Sequence, residues 1–236
     1  MENIWNVFKS TDDDEKIDYH NDGLVSWQGL FGQAEYVTDK YSVFVQGSVA
    51  NQGFQRVDFF RYKVNDPMHK SATKNILGGT IKGGANFNID AKNNVYVNTG
   101  YYSKAPNFDA VFLDYDNYVT PDADLNNEKV FGLEVGYGYR SSNLNMNLNL
   151  FRTSWKDRFL SDGIRIDGVS GTANYTGVEQ LHTGIEFDGV WNISNYVKLE
   201  AMATLGNYKY QKDVTDNTVT NNDGQVIGSS TLYLGG

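Results

Sequence analysis

Apolar and polar residues alternate along this chain with a period of two, over stretches too long for ordinary strands. The clearest stretch runs from Asn127 to Lys156. Phe131, Leu133, Val135, Tyr137 and Tyr139 fall on one side of a strand, and Val130, Gly132, Glu134, Gly136, Gly138 and Arg140 on the other. After Ser141, Ser142 and Asn143 the pattern resumes, with Leu144, Met146, Leu148 and Leu150 alternating with Asn145, Asn147 and Asn149. Alternation of this kind predicts strands with one apolar and one polar face, and three intervening residues leave room only for a hairpin. Globular strands average roughly five or six residues, so these are long. Strands of this length, with a polar face of Asn, Gly, Glu and Arg and with Tyr and Trp toward their ends, suit a wall between lipid and water.

The same pattern predicts strands over 23–37, 41–55, 76–89, 95–103, 177–192 and 197–210, with partial strands at 1–8 and after Gln225. In 177–192, Leu181, Thr183, Ile185, Phe187, Gly189 and Trp191 oppose His182, Gly184, Glu186 and Asp188. The connections alternate in length. Short turns near Asp39, Lys92, Ser142 and Ser194 recur roughly every 50–53 residues, the period of a long hairpin plus a long loop. Long connections are expected at 9–22, 56–75, 104–126, 157–176 and 211–225. Loops of that length are uncommon in compact domains. Outer-membrane barrels place short turns on the periplasmic side and long loops outside. The expectation is therefore an all-β fold: an antiparallel transmembrane β-barrel segment of long hairpins, about eight to ten strands. An open sheet would leave unpaired backbone in lipid, so residues 1–236 read as a single barrel segment, incomplete at both ends.

Composition refines this picture. The formal net charge is −9, which argues against nucleic acid as a partner. The absence of cysteine removes disulfides, thiolate chemistry and Cys-ligated metal. No run approaches the ~18 apolar residues of a membrane helix, and a barrel strand does not need one. The opening residues, Met1 to Lys16, lack the basic and apolar regions of a signal peptide. A secreted barrel needs such a signal, so the chain reads either as cytosolic or as an excerpt of a longer one.

Two runs carry the family signal. Asn94 to Phe112 ends a strand on Tyr101-Tyr102 and leads through Lys104-Ala105-Pro106 into a loop. Asn127 to Arg158 opens on Asn127-Glu128, passes Glu134-Val135-Gly136-Tyr137, and ends on Phe151, Trp155, Lys156 and Asp157; Gly184-Ile185-Glu186 follows. In order and spacing these resemble the C-terminal part of the barrel of TonB-dependent outer-membrane receptors, of a Bacteroidetes-like kind, over about residues 76–210. The resemblance implies part of a barrel of about 22 strands, in the outer membrane of a Gram-negative bacterium. It implies import of a specific nutrient ligand driven by inner-membrane energy. The partners it implies are outer-membrane lipid, a plug domain and the TonB system. Neither a plug domain nor a TonB box is present here, and the chain ends on Leu234-Gly235-Gly236 rather than the terminal aromatic of the family.

No catalytic constellation emerges, and no cofactor or metal is implied. His20, His69 and His182 lie far apart in sequence, without metal-ligand spacing. Asp12 to Glu15, and the alternating Asp122, Asp124, Asn126 and Glu128, could offer oxygens to calcium; solvated acidic loops are the simpler reading. The candidate ligand contacts are Phe108, Phe112, Tyr115 and Tyr118, aromatics of one long loop that could stack on a sugar or another apolar face. Their alternative is to pack that loop onto its neighbours. Trp155, Tyr208 and Tyr210 at strand ends read as an interfacial girdle. Two rival architectures remain. One is a soluble or surface-exposed β-rich carbohydrate-binding module, which would need no detergent. The other is a small self-contained outer-membrane barrel, which would fold alone in detergent.

Overall fold

The alternation is realised as an antiparallel meander. The computed structural model describes residues 20–112, 125–221 and 224–235. The strands are β1 (Asn21–Val37), β2 (Tyr41–Asp58), β3 (Lys74–Asn88), β4 (Asn93–Lys104), β5 (Glu128–Arg140), β6 (Leu144–Ile166), β7 (Val169–Asn192), β8 (Lys198–Tyr210), β9 (Val214–Asn221) and β10 (Val226–Leu232). One helical turn, α1 (Phe108–Val111), and a 3-10 turn at Pro67–His69 interrupt the connections. All ten strands join one sheet; neighbours in sequence are neighbours in space up to β7, which pairs with both β8 and β9. Among the described residues β1 pairs only with β2, so the sheet is open.

Register decides which side chains share a face, because directly opposed residues point the same way. One row runs Tyr36, Val43, Ala85, Val97, Val135, Leu150, Ile185, Leu205 across β1 to β8. The adjacent row runs Ser42, Asn86, Tyr96, Gly136, Asn149, Glu186, Thr204 across β2 to β8. No register shift breaks β1 to β5, so each face is continuous across the sheet; the polar face also carries large apolar side chains at this end, Val25, Trp27 and Phe31 on β1 and Phe44 and Phe54 on β2. The apolar face is not a core. Val45, Leu77, Ile81, Val135, Leu148, Leu150, Ile185 and Leu205 are all exposed. A continuous exposed apolar sheet face requires lipid or another apolar surface against it.

The short turns are made by one device used four times. Thr38 Oγ1 accepts from Tyr41 N at 3.0 Å, Asp90 Oδ1 from Lys92 N at 2.7 Å, Ser141 Oγ from Leu144 N at 3.0 Å and Ser194 Oγ from Tyr196 N at 3.2 Å. A side-chain oxygen two or three residues ahead replaces the turn's missing backbone partner. At Asp90 the Lys92 N–H, then the Asn93 side-chain amide, hold the carboxyl below its usual range.

On the polar face a glycine makes room for a cross-strand bond. The Tyr96 hydroxyl donates to Asn149 Oδ1, reaching from β4 over β5 to β6. It passes over Gly136, where an added Cβ would collide with both the Tyr96 ring and Asn149. Farther along the same face, Asn147 Nδ2 donates to Asp188 at 3.0 Å.

Two of the expected long loops are largely strand. β6 runs to Ile166 and β7 resumes at Val169, so the connection expected over 157–176 is a two-residue turn. Asp167 (φ 49) and Gly168 (φ 85) are both left-handed, the geometry that suits an Asp-Gly hairpin turn. The polar stretch 211–225 contains β9, which pairs with β7 from Gly171 to Ala173 and turns back into β10. Bulges mark where this extension begins: the β6–β7 register shifts between Trp155 and Leu160, with Asp157 (φ 56) and Gly177 (φ 73) left-handed. Beyond the bulges the sheet has an apolar core of its own. Ala173, Tyr175, Val178 and Val219 are fully or nearly fully buried, with Leu160, Ile164, Ile166, Ile227 and Leu232 packed against them. The Tyr175 hydroxyl reaches Ser230 Oγ at 3.0 Å, tying β7 to β10. The strand expected over 1–8 lies outside the described residues.

The register yields a paired prediction. Leu148→Arg puts a cation on the apolar face, a cost of about 2–4 kcal/mol at the middle of a bilayer. Asn147→Arg puts it beside Asp188 on the polar face. In the full-length protein the first should abolish the heat-shifted gel band of an assembled barrel and the second should leave it; equal assembly would refute the assignment of faces.

Candidate functional site

The polar face changes character at its bulged end. Trp155 lies opposite Val130 on β5 and Gln180 on β7, and His182 lies opposite Thr153 on β6 and Tyr208 on β8. Parity therefore places Trp155, His182, Tyr208 and Tyr210 on the face of Asn147 and Asn149. The girdle reading of Trp155, Tyr208 and Tyr210 is corrected by this register: a girdle residue must lie on the apolar face. The apolar-face aromatics at the short-turn end are instead Tyr36, Tyr41, Tyr139 and Trp191, with the Tyr36 and Tyr41 rings 6.0 Å apart.

On the polar face the aromatics touch. The Trp155 and His182 ring centroids are 6.4 Å apart, and those of His182 and Tyr208 4.9 Å apart at 82°. The Arg158 guanidinium lies 5.3 Å from the Trp155 ring centroid, within cation–π range. The Arg158 Nη1 donates to Gln180 Oε1. Glu128, whose side chain is about one-tenth exposed, receives Lys104 Nζ at 2.9 Å and has Arg158 Nε at 4.0 Å. The structure thus joins Glu128, Trp155, Arg158, Gln180, His182 and Tyr208 on three strands and the edge of a fourth. Of these, Arg158 and Gln180 were invisible as site residues in the sequence. The signal was parity counted forward from Asn149, which puts Trp155 on the polar face.

The aromatic loop candidates are placed in part. Phe112 is 5% exposed and belongs to an apolar cluster with Phe54, Ala105 and Val111; Phe108 packs against it, half-buried. Asn107 caps the short α1 by accepting from Ala110 N at 3.1 Å. The Phe108 ring sits over Gly23, where an added Cβ would lie 3.1 Å from it. Phe54 lies on the polar face, opposite Val25 and Lys74, so this loop folds inward over β1 and β2. Tyr115 and Tyr118 lie outside the described residues.

The remaining candidates separate. Phe59 lies between two histidine rings, 5.0 Å from His20 and 4.9 Å from His69. His69 Nδ1 is 2.8 Å from the Asp58 carbonyl, which anchors the β2–β3 connection. His182 is elsewhere, in the aromatic array. Asp12 to Glu15, Asp122 and Asp124 lie outside the described residues, and Glu128 is engaged with Lys104. Among the described residues no group of three His, Asp or Glu side chains is placed to hold a metal ion.

Comparison with known proteins adds to this geometry. A family model described as "TonB dependent receptor-like, beta-barrel" matches residues 2–235. Among solved structures, one described as "Copper transporter OprC" is similar in fold, with a TM-score of 0.60 at 16% identity. The match covers 80% of this chain and 30% of that one, so this chain spans less than a third of its neighbour's length. The search of curated proteins gave no match.

The acidic residues near the array should differ in weight. Glu128 is buried and answers two cations; Glu128→Gln should cost about 1.5–3 kcal/mol, the range of hydrogen bonds to charged groups. Asp157 meets Lys129 at 2.6 Å in a half-exposed pair, and Asp157→Asn, which tolerates the left-handed backbone, should cost about 1 kcal/mol or less. Thermal midpoints of the full-length protein in detergent, read by gel mobility, would show the contrast; equal losses would refute it.

Proposed function

The chain belongs to the TonB-dependent receptor-like β-barrel family, and on that premise we propose that it is a segment of the wall of an active importer in the outer membrane of a Gram-negative bacterium. The observation that carries the reading is the unbroken register from β1 to β5, continued through β8 below the bulges, with an exposed apolar face and a polar face. The apolar face meets membrane lipid. The polar face lines a lumen that a plug domain, encoded elsewhere in the whole protein, occupies. The turns at Thr38, Asp90, Ser141 and Ser194 face the periplasm, and the β6–β7 extension with β9 and β10 stands outside the membrane.

Import of a specific nutrient then requires energy passed from the inner membrane through the TonB system to the plug. The wall's part is to admit and orient the ligand. The β4–β5 loop supplies one proposed contact: Phe112 anchors it and Phe108 packs on that anchor over Gly23, and Tyr115 and Tyr118 of the same loop remain candidates from the sequence. The register also weighs against a soluble carbohydrate-binding module, which would have to cover the apolar face with a second layer.

Cells carrying the full-length gene provide the test. The protein should fractionate with the outer membrane and shift mobility on heating. On a panel of sole nutrient sources, every growth defect of a strain lacking the gene should recur in a strain lacking the energising complex. Recovery as a soluble periplasmic or secreted protein would overturn the barrel reading; a defect peculiar to the gene deletion would overturn energised import.

A further inference from the structure

The bulged end of the inner wall holds chemistry that a polar lining does not need. Elsewhere that face carries Asn, Ser, Thr and Gly, with separate aromatics such as Phe44, Tyr96 and Phe151. Here three rings follow one another across β6, β7 and β8, Trp155 to His182 to Tyr208, with the Arg158 guanidinium over the first. Two N–H donors at this point, Trp155 Nε1 and Arg158 Nε, are covered and lack an acceptor. The nearest carboxylate reaches Arg158 only at the range of an ion pair: Glu128 gives one oxygen to Lys104 at 2.9 Å and holds the other 4.0 Å from Arg158 Nε. Covered donors without partners are exceptions that call for an explanation.

We infer that this array is a ligand subsite for a ring compound bearing a carboxylate. The ring rests against Trp155, His182 and Tyr208, and the carboxylate accepts from Arg158. The inference rests on the importer reading and names the class of ligand the wall would select. Ring faces stack on Trp, Tyr and His. The Arg158 Nη1 is committed to Gln180 and its Nε is covered, so a carboxylate meets the guanidinium of this side chain, 30% exposed, from its open side. With Lys104 and Arg158 facing the single carboxylate of Glu128, the spot carries one excess positive charge, on a wall whose other charges include Glu134, Glu186 and Asp188. One bound carboxylate neutralises it. A dianionic phosphate would exceed it and would face Glu128.

Two sources share this chemistry, a sugar acid and an aromatic acid. The full-length protein in detergent, shown to be folded by its heat-shifted mobility, would be titrated with glucuronate and benzoate, and with the neutral glucose and benzyl alcohol, by saturation-transfer NMR. At least one acid should bind at least tenfold more tightly than its neutral counterpart, and which one does so identifies the source. Arg158→Gln should weaken the acid at least tenfold and erase that preference. Tyr208→Leu should weaken the acid and its neutral counterpart together; Tyr208 is 57% exposed on the outermost long strand, so this variant keeps the sheet and decides the matter should Arg158→Gln fail to fold. No preference for either acid, or acid binding unchanged in the variants, overturns the subsite. A protein that reaches the outer membrane and yet shows no such binding overturns the subsite alone, whereas absence from the outer membrane overturns the importer reading.

Discussion

The structure depends on register. A strand's side chains alternate with a period of two, so a slip of one residue would turn a whole apolar row toward water. From β1 to β5 the pairing runs without a shift, and it stays in step through β8 below the bulges. Its consequence is that Leu148, Leu150, Val135 and Ile185 form one continuous apolar surface, while Asn147, Asn149, Glu134 and Glu186 form another of opposite character. The side-chain-closed turns at Thr38, Asp90, Ser141 and Ser194 hold that register from one end. On the polar face, Tyr96 reaching over Gly136 to Asn149 pins three strands to each other in a way only the correct pairing permits.

The bulges near Trp155 mark a change of regime. Below them the sheet needs an external apolar medium, because nothing among the described residues covers its apolar face. Above them the β6–β7 hairpin, β9 and β10 cover one another, and Tyr175, Val178 and Val219 lie in an ordinary buried cluster. An element with its own core can stand in water; an element with its apolar side chains turned outward cannot. The bulges allow the chain to pass between the two conditions, since they bend the strand and interrupt the ladder where the surroundings change.

The wall was legible in the sequence because period-two alternation is local. The eight long strands, their faces and the four short turns could be read from Leu144–Leu150 and its counterparts. The extension was not read, although Asp167-Gly168 is a strong hairpin signal. Its flanks, Arg165-Ile166 and Val169-Ser170, alternate too briefly to stand out, and the apolar partners that make them strands, Val219 and Ile227, are distant in sequence. The girdle assignment failed for a different reason. Trp155 and Tyr208 have the composition of a membrane interface and the position of a strand end, yet the face they occupy is set by parity with Asn149 and His182. Residue type suggested the apolar face, and register assigns the polar one. Phe108 and Phe112 were found as an aromatic pair, but only the fold reveals that Phe112 is an anchor on Phe54 rather than free surface.

That parity gives the inner wall its most specific chemistry. An aromatic on the apolar face is replaceable by any other apolar group of similar size. An aromatic on the polar face is not explained by partition, and must be held by particular neighbours. Trp155 is held by Arg158, Arg158 by Gln180 and Glu128, and Glu128 by Lys104, so the array is a chain of pairwise contacts spanning β4 to β7, with His182 extending it to β8. Each link depends on the strands lying in one register. The constraint that makes the chain a wall also places a ring-lined, cation-bearing surface at the point where the wall passes into the covered extension.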